Sequence, residues 1–212
     1  MFENREQAAK RLAERLEAYR GKNPLVLGIP RGGVVMAAVI AEALGGEVDV
    51  ALVHKLGAPG QPEFAIGSID ERGTVYLGNA VERLGIRRRY LEDESRAQLE
   101  RLKKRRRAYT PVRPPLSAAG RIAVVVDDGL ATGSTMIAAL HAVRAQKPAR
   151  LIAAAAVAPP DTLARVAALA DEAVCLDAPD TFFAVGQFFK DFDQVEDEEV
   201  IDILRRQGPA RS

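Results

Sequence analysis

Residues Val124-Val125-Val126-Asp127-Asp128-Gly129-Leu130-Ala131-Thr132-Gly133-Ser134-Thr135 join two opposed chemical preferences. An apolar run ends in two adjacent carboxylates. A loop of small and hydroxyl residues follows and leads into a helix-forming run, Met136 to Gln146. A Gly/Ser/Thr loop that opens a helix presents unpaired backbone N–H groups and the positive end of the macrodipole. Ala131, Thr132, Gly133, Ser134 and Thr135 are therefore candidates to hold a phosphate. Asp127 and Asp128 repel phosphate, but they accept hydrogen bonds from hydroxyls or face a divalent cation. A ligand that meets both demands carries a phosphate at one end and a diol, accompanied by Mg2+, close by. A ribose 5-phosphate fits.

The plainer alternative is an ordinary strand-turn-helix unit with common turn residues. The paired acids weigh against it, because adjacent like charges at a strand end cost stability unless something compensates them. Other phosphate motifs fit worse. Gly133 is followed by Ser134 and no lysine lies in the loop, so a Walker A loop is excluded. Gly28, Gly32 and Gly33 lack the spacing of the dinucleotide fingerprint.

The surrounding pattern supplies the elements that must position these residues. Ala9, Leu12, Ala13, Leu16 and Tyr19 recur at helical spacing within Glu6 to Arg20, and Gly21 and Pro24 end that helix. Leu25 to Ile29 reads as a buried strand, Gly33 to Leu44 as a small-residue helix, and Val48 to Val53 as one continuous apolar strand. Phe64 to Asp70 and Thr74 to Leu77 read as a hairpin turning near Glu71-Arg72-Gly73. A charged helix spans Arg87 to Tyr109, and a proline-rich connector spans Thr110 to Gly120. Strands at Ile122–Val126, Leu151–Val157 and Ala173–Leu176 are separated by helices at Ser134–Gln146 and Asp161–Ala170. A last amphipathic helix covers Asp197 to Arg206. Strands alternating with helices predict an α/β fold with a parallel sheet covered on both faces. Ligands of such sheets bind beyond the carboxyl ends of the strands, so residues after successive strands should converge on one crevice.

After the first strand come Gly28-Ile29-Pro30-Arg31-Gly32-Gly33. Gly32 and Gly33 let the backbone approach a ligand, the following helix favours an anion, and Arg31 adds a positive fork suited to phosphate. After the second strand come His54 and Lys55. Lys55 is a candidate second anion contact, while His54 is either a ligand group or a satisfied buried imidazole. The Gly- and Pro-rich run Leu56 to Glu63 is either a mobile loop or a rigid connector.

At Val124 to Thr135 the chain resembles the type I phosphoribosyltransferases, whose signature is an apolar strand, two acids and a Thr-Gly-Ser/Gly-Thr loop. The likeness extends over most of the chain. It is nearest to predicted phosphoribosyltransferases with a Pro-Arg-Gly-Gly loop (here Pro30 to Gly33) and a Leu-Gly-Ala-Pro-Gly segment (here Leu56 to Gly60).

The resemblance implies a single domain over residues 1–212. It would carry a charged helical insertion at about 79–115 and a C-terminal hood at about 178–212. It implies that Asp127 and Asp128 hold the ribose hydroxyls of phosphoribosyl pyrophosphate (PRPP) and that residues 131–135 wrap its 5-phosphate. Arg31, Gly32, Gly33 and Lys55 would take the pyrophosphate. Asp127, Asp128 and Lys55 would form the catalytic set. Mg2+ would arrive on PRPP, with no direct protein ligand and with Asp127 and Asp128 reaching it through water. The implied reaction moves a 5-phosphoribosyl group onto a nitrogenous-base acceptor. The alternatives are a PRPP-binding regulator without turnover and, less well matched, a phosphohydrolase using Asp127 as nucleophile.

Composition bounds these readings. Thirty basic and 29 acidic side chains leave a net charge of +1, which gives no global pull toward nucleic acid or an anionic membrane. A single cysteine, Cys175, excludes an internal disulfide framework. The charged N-terminus does not resemble a signal peptide, and the apolar run Leu151 to Ala158 is too short to span a bilayer. A cytoplasmic setting and a homodimer are expected, with the charged helix bracing the dimer or partly covering the site. That helix holds the basic runs Arg87-Arg88-Arg89 and Lys103 to Arg107, but interspersed acids and a semi-apolar face favour a solvated amphipathic helix over a nucleic-acid surface. Five of the seven phenylalanines fall between Phe182 and Phe192, as a packing cluster with one or two rings left to line an acceptor pocket.

Overall fold

A computed structural model of the chain describes residues 1–207, apart from the side chains of Pro62 and Glu63. The last part of the expected hood, residues 208–212, lies outside the described residues. The elements in chain order are α1 (Arg5–Arg15), β1 (Leu25–Gly28), α2 (Gly32–Leu44), β2 (Glu47–Val50), β3 (Val53–Ala58), β4 (Gln61–Asp70), β5 (Val75–Leu77), α3 (Ala80–Arg83), α4 (Arg88–Tyr109), β6 (Ile122–Gly129), α5 (Ser134–Arg144), β7 (Arg150–Val157), α6 (Pro160–Ala167), β8 (Glu172–Asp177) and α7 (Asp197–Arg206).

Five strands form a parallel sheet in the order β2-β1-β6-β7-β8. Successive side chains of a strand point to opposite faces, and β6 uses both. Val124 and Val126 pack with α1 and α2 through Leu12, Val34 and Ile40. Ala123 and Val125 pack with α5 through Met136, Leu140 and Val143. Both faces are covered, which is why the strands read as continuous apolar runs rather than alternating ones. Helix α2 lies close on the strand ends. A Cβ on Gly28 would come within 2.5 Å of the Val34 Cα, and one on Gly33 within 2.5 Å of the Val126 carbonyl oxygen.

The expected strand Val48 to Val53 is two strands in two sheets. Strand β2 ends at Val50, and after Ala51-Leu52 the chain enters β3, which pairs antiparallel with β4, as β4 does with β5. An apolar run carries no mark of where its hydrogen-bond partner changes. The Gly/Pro-rich stretch Leu56 to Glu63 is neither loop nor connector for most of its length: it is the end of β3 and the start of β4, joined by a tight turn at Pro59-Gly60 with Gly60 at φ 73°.

The charged helix α4 joins the two sheets. Arg106 donates to Asp49 Oδ1 (3.1 Å) on the parallel sheet and to Glu71 Oε1 (2.7 Å) beside the β4–β5 turn. Tyr90 donates to the Gly57 carbonyl on β3 (2.8 Å), and Tyr109 donates to Asp197 on α7 (2.8 Å). In the proline-rich connector Arg113 is only 1 % exposed and reaches Glu47 of β2 (3.2 Å) and the Val48 carbonyl (3.1 Å). Most phenylalanines of the 182–192 segment pack on one another. Phe189 lies between Phe2 and Phe192, Phe182 lies against Phe188, and Phe183 stands 86 % exposed.

Candidate functional site

Strand β6 runs on past Val126, so that Asp127 pairs with Ala155 and Gly129 with Val157. The two acids are strand residues, and strand alternation sends their side chains apart. Asp127 lines a cleft of about 180 Å³ with Ala131, Thr132, Gly133, Ser134, Thr135 and Val185. Asp128 leaves on the α1–α2 side, where its Oδ2 lies 2.9 Å from the Arg5 Nε. Both partners of that pair are largely covered, with side chains 12 % and 15 % exposed. Asp127 Oδ1 accepts from the Asp128 N–H (2.9 Å). Burial pushes the Asp127 carboxyl well above the usual carboxylate range, and the neighbouring Asp128 charge adds to the effect. The Asp128 N–H and Arg5 oppose it.

The 131–135 loop opens α5. Gly133 adopts φ 70°, a left-handed conformation that glycine meets without penalty. Thr132 and Ser134 share a hydroxyl–hydroxyl bond of 3.0 Å. The loop is held from outside by α6: Thr162 donates to the Ala131 carbonyl (3.1 Å) and Arg165 to the Thr132 carbonyl (2.9 Å). Helical periodicity located α6, but nothing local marked Thr162 and Arg165 as partners of a loop some thirty residues earlier.

The loop after β1 meets the acids. A Cβ on Gly32 would fall 2.2 Å from the Asp128 Oδ2, so only a glycine lets Asp128 and Arg5 sit there. The Pro30–Arg31 peptide is cis. Arg31 Nη1 donates to Glu196 Oε2 just before α7 (2.8 Å). Arg5 also donates to the Asp193 carbonyl (2.7 Å) and lies over the Phe192 ring, 3.9 Å from its centroid. Residues 192–196 thus tie Arg31 directly and Asp128 through Arg5. Among the expected site residues, Asp127, Asp128, Arg31, Gly32, Gly33 and residues 131–135 gather at one edge of the parallel sheet.

Lys55 requires a correction of setting. It sits within β3 opposite Ser68 of the antiparallel sheet, not at the end of a parallel strand. His54 Nδ1 lies 2.9 Å from the Lys55 carbonyl oxygen. His141 stacks on Tyr76, with ring centroids 5.3 Å apart. Among the described residues, no group of three or more His, Cys, Asp or Glu is arranged to cage a metal ion, and no helix is long and apolar enough to cross a membrane.

The site therefore places a carboxylate and the 131–135 loop on one cleft, with a glycine-rich, arginine-bearing loop against the second carboxylate. The crystal structure of TT1426 from Thermus thermophilus has the same architecture. It superposes with a TM-score of 0.89 at 45 % identity and covers 98 % of this chain and 99 % of its own. Two curated proteins of Mycobacterium tuberculosis, from strains CDC 1551 / Oshkosh and ATCC 25618 / H37Rv, are provisionally described as phosphoribosyl transferases. Each is 42 % identical over 207 residues, which is 97 % of this chain. The chain spans about half the length of these relatives, 47 % in each case. The model of the phosphoribosyl transferase domain matches residues 2–192, and with the match running from just before α1 past β8 to Phe192, the chain belongs to the phosphoribosyl transferase domain family.

Proposed function

We propose that the chain transfers a 5-phosphoribosyl group from PRPP to a nitrogenous-base acceptor with release of pyrophosphate. One observation carries this reading: Asp127 and the 131–135 loop line a single small cleft, and the Thr132 and Gly133 N–H groups of that loop find no acceptor among the described residues. The amides and the helix α5 terminus hold the 5-phosphate. Asp127 accepts a hydrogen bond from one ribose hydroxyl, and Asp128 from the other once its carboxylate turns from Arg5 toward the cleft. Arg31, Gly32 and Gly33 receive the pyrophosphate, with Lys55 as a second cation, once Arg31 leaves Glu196.

The bond from ribose C1 to the pyrophosphate oxygen breaks, and its electron pair leaves with pyrophosphate. A nitrogen lone pair of the acceptor forms the new bond to C1, and the proton of the acceptor nitrogen passes to water or to the departing pyrophosphate. Negative charge grows on the leaving group and positive charge on the sugar. Arg31 and the backbone amides stabilise the first, and the carboxylates offset the second. The oxygen donors Asp127 and Asp128 suit a hydrated Mg2+ held through water, and when bound the ion supplies charge neutralisation on the pyrophosphate.

The test incubates the chain with PRPP, Mg2+ and a panel of bases and small amines, and follows pyrophosphate. Acceptor-dependent release supports the transfer. Binding of PRPP with no release for any acceptor favours the regulator reading, and absence of PRPP binding overturns both.

A further inference from the structure

Two carbonyls of the 131–135 loop are held from outside by α6, and that sets which way the N–H groups of the same two peptides face. In a trans peptide the N–H and C=O point in opposite directions, and the only cis bond among the described residues is Pro30–Arg31. Thr162 Oγ1 takes the Ala131 carbonyl at 3.1 Å, which turns the Thr132 N–H the other way. Arg165 Nη2 takes the Thr132 carbonyl at 2.9 Å, which does the same for the Gly133 N–H. Among the described residues neither N–H finds an acceptor. The same Arg165 nitrogen lies 3.2 Å from Thr162 Oγ1, so the two side chains act as one clamp, three residues apart on α6.

The packing leaves little freedom. Thr162 is buried, and its Cγ2 would lie 2.8 Å from a Cβ on Gly133. The guanidinium charge at the carbonyl end also polarises the peptide toward a stronger N–H donor and offsets the negative end of its dipole.

We propose that Thr162 and Arg165 are positioning residues for the phosphate-gripping loop: they touch no ligand, and they fix which way its amides face. This rests on the reading of the loop as the cradle of the 5-phosphate. A merely structural role for the clamp would weaken every ligand of the site alike, whereas a positioning role weakens only the ligand gripped by these amides.

The test titrates the full chain with ribose 5-phosphate and, separately, with pyrophosphate and Mg2+ by calorimetry. Arg31→Ala run alongside identifies the pyrophosphate signal with the other loop. Arg165→Met and Thr162→Val are expected to weaken ribose 5-phosphate about threefold to tenfold while leaving pyrophosphate within about twofold, as loss of one hydrogen bond to a charged-ligand site implies. Thr162→Ser, which keeps the hydroxyl, is expected to bind like the parent. Arg165 is exposed, so its variant remains informative if the buried Thr162→Val does not fold. Equal weakening of both ligands, or no change in either, overturns the clamp alone. Failure of the unaltered chain to bind ribose 5-phosphate overturns the donor reading and the clamp with it.

Discussion

Arg5, the first residue of α1, holds Asp128, the second acid of β6, across 123 positions of sequence at 2.9 Å. The pair is more than a surface contact. It fixes the side chain of one candidate ribose-binding acid, sets a positive charge near the other, and fastens the hood through Phe192 and the Asp193 carbonyl. Start of chain, strand end and hood meet at one guanidinium.

Removing that guanidinium leaves two adjacent carboxylates without their compensating charge. Arg5→Ala is expected to lower unfolding stability by about 1.5–3 kcal/mol, the range for a hydrogen bond to a charged group. Arg5→Lys should fall between, because an ammonium keeps the charge but cannot both span the two acceptors and lie flat on Phe192. Urea melts at neutral pH measure both. A loss as small as that of an ordinary exposed ion pair would mean that the contact is not maintained in solution.

Asp127 supplies a pH dependence. Its folded-state carboxyl titrates above its unfolded value, chiefly through burial and then through Asp128. Between those two values the folded chain binds more protons, so its stability falls as pH rises through that window. Asp127→Asn removes the penalty. The variant should melt higher than the parent at neutral pH, and the advantage should vanish in acid, where the parent Asp127 is protonated in both states. An advantage that persists at low pH would assign the effect to packing rather than to charge. The same variant should lose ribose 5-phosphate binding, because an acid held at a cost to stability is expected at a ligand site.

Glu196 competes for Arg31. Glu196→Gln leaves the residue's size in place and removes its charge, so pyrophosphate should bind more tightly. The gain is bounded by the worth of a part-exposed ion pair, about 0.2–1 kcal/mol, or up to about fivefold in affinity. Raising the salt concentration should shrink it, since screening already weakens such a pair. Calorimetric titration at two ionic strengths checks both. A gain that ignores salt would point to a change of hood conformation instead.

Much of this architecture was legible from periodicity. Helix α7 occupies Asp197–Arg206 as read, because its apolar and acidic faces separate cleanly, and α5 starts at Ser134 because Gly133 breaks the strand-to-helix path. The loop-bearing acids were legible from charge alone. The divergence of Asp127 and Asp128 was not, because it depends on the pairing of β6 continuing to Gly129, and a Gly at a strand end reads as a turn. Arg5, Thr162, Arg165 and Arg113 were missed for a shared reason. Each is a polar residue on an exposed-looking pattern whose partner lies far away in sequence, so no local spacing encodes the contact. The break at Ala51-Leu52 was hidden by its own hydrophobicity, since apolar residues continue on both sides of it.

Arg106 is one link between the parallel sheet and the antiparallel sheet that carries Lys55. Asp49 is only 1 % exposed, and its carboxylate is reached by Arg106 (3.1 Å), by the Val50 N–H (2.7 Å) and by the Leu116 N–H (2.8 Å). Arg106 also takes both oxygens of Glu71, and these partners hold its guanidinium charged despite the opposing effect of burial. Arg106→Met keeps the stem but leaves Asp49 as a buried charge with only neutral donors. Removing one partner of a buried pair costs roughly 3–5 kcal/mol. The double variant Arg106→Met/Asp49→Asn removes the stranded charge, so it should recover part of the loss. Denaturant melts of the two single variants and the double supply the cycle. Additive losses would mean that Arg106 and Asp49 act independently. Recovery in the double variant, together with weaker pyrophosphate binding in Arg106→Met, would tie the α4 bolt to the placement of Lys55, because the parallel sheet would remain while the antiparallel sheet lost its anchor.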